Sequence, residues 1–394
     1  MAKAKSWVLT DTSQGLWEES LELTADEIGA PGASVRKRVL RGGPGDGVEV
    51  VEVDNGGLSF TVLATRGMGI WRGQYHGLDL GWQAPVPGPV HPYLVNQQDR
   101  GKLGWLTGFD EAIVRCGLDS NGAPTTDVVP NNMGIPSEVE LTLHGRIANI
   151  PASRLEVQVV PGDPPRLVVL GDVYESALFY PGFHLHAEIG TECGSNAFTI
   201  CDTVTNLRAA PAEFELLYHC NFGPPFLEEG SRLQVPARLV APRDARAVEG
   251  VATYAEYLAP TAGYVEQVYW YEPLARADGR TVALLHSADA GRGVAVRFDT
   301  GQLPAFSQWK NTAAVSDGYV TGLEPGTDYP NSKTFEREQG RLMSLDSGAA
   351  HRVDLTIEAH DTEAGVRSVR DEIAAIQGET PLVVEPQPLA RLSG

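Results

Sequence analysis

Val48-Glu49-Val50-Val51-Glu52-Val53, Asp54-Asn55-Gly56-Gly57, Leu58-Ser59-Phe60-Thr61-Val62-Leu63-Ala64 is the stretch on which the fold reading turns. Two short runs rich in β-branched residues flank four turn formers, which predicts a β-hairpin with a four-residue loop. The same punctuation recurs along the chain, where 43 Gly and 27 Pro among 394 residues fall between short apolar stretches. Further strands are predicted at Arg154–Val160, Arg166–Glu175, Phe183–Ile189, Ala197–Thr205, Ala212–Phe222, Thr281–His286, Gly293–Phe298 and Arg352–His360. One helix stands out. Val366, Val369, Ile373 and Ile376 recur at spacings of three and four, with Thr362 placed to cap the start and Gly378 to end it. A shorter helical turn is expected near Thr24–Ile28, and the proline-bearing tail from Thr380 reads as extended chain. No repeat or linker divides the sequence. The expected organisation is a single all-β domain over residues 1–394, with a sandwich core over about 45–360, a C-terminal helix over 361–378 and a tail over 379–394.

Composition narrows the function. With 31 Lys+Arg against 51 Asp+Glu, the formal charge is −20, and a polyanion such as nucleic acid or an acidic membrane surface is repelled. A small molecule is the expected partner; oligomeric state leaves no signature. Cys116, Cys193, Cys201 and Cys220 show no CxxC spacing, so neither a disulfide framework nor a zinc ribbon is expected. The N-terminus has no apolar signal region, and no run approaches the ~18 apolar residues of a membrane helix, which together suggest a cytoplasmic protein.

Three segments carry chemistry. In Tyr218-His219-Cys220-Asn221-Phe222, strand alternation puts His219 and Asn221 on one face, just before a Gly-Pro-Pro turn, as a polar cleft requires. Glu324, followed by Pro325-Gly326, reads as a carboxylate on a rigid turn, aimed as a general base would be. Leu143-His144-Gly145-Arg146 places two polar side chains about a flexible glycine. For each residue the bland alternative is a satisfied structural histidine, a solvated turn glutamate or a surface ion pair of little value. Gln308-Trp309-Lys310 offers an indole for the C–H face of a sugar beside an amide and an amine; a core Trp with a surface Lys is the alternative. The aromatic, Gly-rich stretch from Trp105 to Glu111 either shapes the same pocket or forms a surface loop.

These motifs resemble those of the galactose mutarotase-like superfamily, the aldose 1-epimerases. His219 with Asn221 and Phe222 is similar to a family segment of the type Asn-His-x-Tyr-Phe-Asn, Glu324 with Pro330 and Asn331 to the segment of its glutamate, and His144-Gly145 to a Leu-His-Gly segment. Their order along the chain also agrees, and the resemblance spans roughly residues 45 to 360. It implies a large antiparallel β-supersandwich and interconversion of sugar anomers without a cofactor. Glu324 would take the anomeric proton and His219 would protonate the ring oxygen, while His144 and Arg146 bond oxygens near C1. An arginine that the family carries near its N-terminal strands has three candidate counterparts, Arg66, Arg115 and Arg146; these, with Lys310, are also the candidate cations for an anionic sugar. The aspartate of galactose-specific members has no counterpart.

Two other readings remain open. One is a non-catalytic sugar-binding protein on the same fold. The other is an isomerase, epimerase or lyase acting on a keto-sugar with a divalent metal. For the second, His184 and His186 face the same side of a strand and are the candidates to hold an ion together with a carboxylate and His219, although the resemblance calls for no metal.

Overall fold

The computed structural model describes residues 4–394, and two large sheets carry the fold. The first has ten strands. Its centre is formed by Arg154–Val160, Arg166–Ser176, Gly182–Glu192, Ala197–Asn206 and Ala350–His360, each antiparallel to the next. The second has fourteen strands and is centred on Ala305–Asn311, Val320–Gly326, Ala212–Phe222 and Ile113–Leu118. Alternation decides what lies between them. Phe183, Leu185, Ala187 and Ile189 of one strand point inward with Phe198, Ile200 and Val204 of the next, and all are buried. This is the expected all-β antiparallel sandwich.

The helix forms over Glu363–Gln377 for the reasons its sequence gives. The Thr362 hydroxyl accepts from the Gly365 N–H at 3.2 Å, Gly378 stands at the other end, and Val366, Val369 and Ile373 pack on Val282, Leu284 and Ala295 of the first sheet. The Thr24 turn forms over Ala25–Ile28 with its capping box. No described helix is long and apolar enough to cross a membrane.

Several expectations need correcting. The opening hairpin turns in two residues, not four, because Asp54 pairs with Ser59 and only Gly56-Gly57 lie outside the strands next to Asn55. Asn55 cannot reach solvent: its side-chain nitrogen donates to Thr191 Oγ1 and to the carbonyls of Glu192 and Ser195, pinning the hairpin to the other sheet. Glu324 stands within the strand Val320–Gly326 rather than on a turn. Ile113–Leu118 and Ala305–Asn311 are also strands that were not anticipated. The tail is only partly a free extended segment, since Val383–Val384 pairs in parallel with Leu239–Val240 and Leu392 is buried.

Candidate active site

Sheet register brings His219 and Glu324 together. Leu217 pairs with Gly326 and Cys220 with Leu323, so His219 falls opposite Glu324; on the far side Ser307 pairs with Glu324 and Trp309 with Gly322. Residues opposite one another in an antiparallel sheet share a face. His219, Asn221, Gly322, Glu324, Ser307 and Trp309 therefore share the face of the fourteen-stranded sheet that points away from its partner sheet.

His219 Nε2 lies 3.1 Å from Glu324 Oε1, and both side chains are almost fully buried. Asn221 settles the imidazole. Its Nδ2 donates to the Glu111 and His219 carbonyls, at 3.0 Å each, which leaves Oδ1 to accept from His219 Nδ1 at 2.6 Å. Nδ1 then carries the hydrogen and Nε2 presents a lone pair. Glu324 Oε1 meets no N–H or O–H donor among the described residues, so two acceptors would face each other unless one proton lies between them. Burial, aided by the charge of Glu266 and opposed by Arg243, raises the Glu324 carboxyl to about 8. Burial and the neighbouring His144 lower His219 to about 3, against the hydrogen bond to Asn221. The resting pair holds one proton, on Glu324.

His144 approaches from a loop. It sits at φ +58°, before Gly145 at φ +69°, where a Cβ would lie 2.1 Å from the Ser120 carbonyl oxygen. That left-handed bend aims His144 Nδ1 at the Asn121 carbonyl, 2.8 Å away, and sets its ring edge-on to His219 with centroids 5.5 Å apart. Trp105, Phe109 and Trp309 complete the wall, with centroids 4.6 Å from His144 (Trp105) and 5.1 and 5.3 Å from His219 (Phe109 and Trp309). Trp105 and Phe109 belong to the stretch from Trp105 to Glu111, whose two rings are buried against the histidines while Leu106 between them is exposed. Gly322 makes room for the pair. A Cβ there would lie 2.3 Å from Glu324 Oε1 and 3.0 Å from His219 Cε1.

Of the substrate-binding candidates, Trp309 joins the site, with its Nε1 donating to Glu266 at 2.7 Å. Asn221 is there too, but with both ends committed to His219 and the backbone it positions the imidazole. Gln308 and Lys310 flank Trp309 and so point into the sandwich. Gln308 bonds Tyr271 and Tyr257; the Lys310 ammonium donates to the Thr253 and Glu256 carbonyls, and burial lowers it to about 8. Arg115 also points inward. Its guanidinium forms a buried fork on Asp202 of the opposite sheet and donates to the Gly67 and Met68 carbonyls. Arg66 is spent on Glu111, Asn149 and the carbonyls of Val90 and Gly108, bracing the loops behind the pocket. Arg146 is exposed, and its charge acts on Glu175. His184 and His186 lie on the outer face of the other sheet, with the whole sandwich between them and His219, so the three cannot share an ion.

Sequence reasoning missed Arg243, Glu266 and Ser307. Arg243 Nη2 lies 3.1 Å from Glu266 Oε1, and these are the charges Glu324 feels. Beside the His219–Glu324 pair, two further buried polar atoms, Trp105 Nε1 and Ser307 Oγ, lack a partner among the described residues.

A two-sheet antiparallel sandwich of this kind is the architecture of the aldose 1-epimerase and galactose mutarotase-like proteins, as comparison with solved structures shows. A putative aldose 1-epimerase from Klebsiella pneumoniae is 35% identical, with a TM-score of 0.92 over 98% of this chain and 99% of that one. More distant likenesses, which bear on the fold alone, are a galactose mutarotase-like protein from Clostridium acetobutylicum (13% identity, TM-score 0.55, 83% and 98% covered) and a putative aldose 1-epimerase from Escherichia coli (14%, 0.51, 79% and 98%). No curated protein matches the sequence. The chain belongs to the family described as Domain of unknown function (DUF4432), which matches residues 45–359.

Proposed function

We propose that the protein is an isomerase of the aldose 1-epimerase type, opening and reclosing the ring of a small sugar so that its anomers interconvert. The observation that carries this reading is the buried contact of 3.1 Å between His219 Nε2 and Glu324 Oε1. Ring opening removes one proton, from the anomeric hydroxyl, and delivers one, to the ring oxygen; a pair that holds one proton can do both without exchange with solvent.

A bound sugar alters the balance within the pair. A hydroxyl donating to Glu324 favours its carboxylate, and a ring oxygen accepting from His219 favours the imidazolium, so the shared proton moves onto Nε2. Glu324 then takes the anomeric proton as His219 protonates the ring oxygen. The open aldehyde turns about C1–C2 and recloses, with the two roles reversed. His144, held by Asn121, presents Nε2 toward the oxygens near C1. Trp309, which is partly exposed, offers a flat face to the sugar's C–H surface. The chemistry asks for no cofactor.

The test is anomer exchange, followed by NMR in deuterated water on freshly dissolved single-anomer aldoses. Acceleration without deuterium at carbon is expected. Deuterium entering a carbon position would instead mean proton abstraction next to a carbonyl, and saturable binding without exchange would mean a binding protein.

A further inference from the structure

We propose that Asp172, His184 and His186 form a site for a divalent ion of the borderline class, zinc or cobalt for example, on the outer face of the ten-stranded sheet. Asp172 lies directly opposite His186 across two central strands, and His184 is two residues from His186 on the same face. The pairing of Arg166–Ser176 with Gly182–Glu192 runs unbroken over eleven residues, so these positions are set by the sheet rather than by a loop. His184 Nε2 and His186 Nδ1 each lie 2.8 Å from the same oxygen, Asp172 Oδ1, and the three donor atoms lie within 4.8 Å of one another.

Two imidazoles and a carboxylate are the donors that borderline ions prefer, and three protein ligands leave positions open for water or a further group. The Tyr174 ring stacks on His184, with centroids 4.6 Å apart and planes 11° apart, which holds that imidazole edge-on to the carboxylate. The His184 and His186 centroids are 6.4 Å apart. Two imidazoles on one ion stand roughly 5 Å apart, given metal–nitrogen bonds of about 2.1 Å, so the rings must close by about 1.4 Å. His186 is the more exposed of the two and is free to make most of that movement.

The surrounding charges permit a cation. Arg154, opposite Asp172, is tied to Glu156 and Asp11, and Glu188, next along the His186 face, is tied to Arg166.

The site is independent of the proposed isomerase chemistry, and so is its test. Chelator-treated full-length protein is titrated with Zn2+ alone by calorimetry, and with Co2+ by visible absorption. One ion per chain is expected, with Co2+ bands of a nitrogen–oxygen site. His186→Ala and His184→Ala should each weaken Zn2+ binding at least about tenfold, while melting curves without metal show both variants folded. The proposal is overturned if the wild type shows no saturable site below 100 µM, to an order of magnitude, or if both variants bind as the wild type does. Anomer exchange, where present, should be unchanged by chelation; its loss would overturn the separation of this site from the pocket.

Discussion

Replacing Glu324 with glutamine should stabilise the protein increasingly as pH rises. The reasoning starts from burial: the folded carboxyl keeps its proton up to about 8, whereas the unfolded one releases it near 4.5. The folded state therefore binds the extra proton between these values. Glu324 does not oppose folding below pH 4.5, and its penalty accumulates as pH climbs toward 8. Between pH 5 and pH 8 the accumulated difference is about 3.5 kcal/mol, taken as an upper figure for a group this buried. For 394 residues, an unfolding entropy of about 2.1 cal/mol/K per residue makes 1 kcal/mol worth roughly 1.2 °C, so the gap in melting temperature should widen by about 4 °C. Glutamine keeps the shape and never ionises, so differential scanning calorimetry of wild type and Glu324→Gln at pH 5, 6, 7 and 8 isolates the effect. A gap that stays constant, or narrows with pH, would refute the claim that Glu324 is buried and protonated.

Three further outcomes follow from the same geometry. The kcat/KM profile for anomer exchange should be flat from pH 5 to 7 and fall above an apparent pKa of about 8, because the pair then loses its only proton; activity still rising at pH 9 would contradict this. Gly322→Ala places a methyl against Glu324 Oε1 and His219 Cε1, and should lower kcat about tenfold or more while melting shifts by only ~1–3 °C; full turnover would mean that the pocket tolerates the displaced carboxylate. Arg115→Met leaves Asp202 buried without its cation and should cost about 3–5 kcal/mol in denaturant unfolding, with exchange per folded molecule unchanged. Lost exchange in well-folded variant protein would return Arg115 to the list of sugar ligands.

The strands from Arg154 to Phe222 were legible because one face is apolar and the other polar, and the period of two survives in the sequence. Val320–Gly326 was not, because Gly322, Pro325 and Gly326 are residues of turns; here Gly322 clears space for a side chain, and the glutamate between them belongs to a ladder. His219 and Asn221 could be placed on one face by counting. Their meeting with Glu324 could not, since a register between strands a hundred residues apart leaves no local trace. Gln308 and Lys310 were misplaced for a simple reason: three consecutive residues were read as one surface, although neighbours on a strand point to opposite sides. Arg66 and Arg115 show a second weakness. An arginine in a Gly-rich setting looks the same in sequence whether it awaits a ligand or is wholly consumed by a buried glutamate, an aspartate and backbone carbonyls.

The most direct test of the account compares wild type with Glu324→Gln and His219→Gln for exchange between the α and β forms of one aldose at equilibrium, by magnetisation-transfer NMR at pH 7. The account predicts enzyme-dependent exchange in the wild type and a loss of about 10²–10⁴-fold in each variant, with sugar binding retained. Exchange that persists in both variants would show that the buried pair does not perform the chemistry.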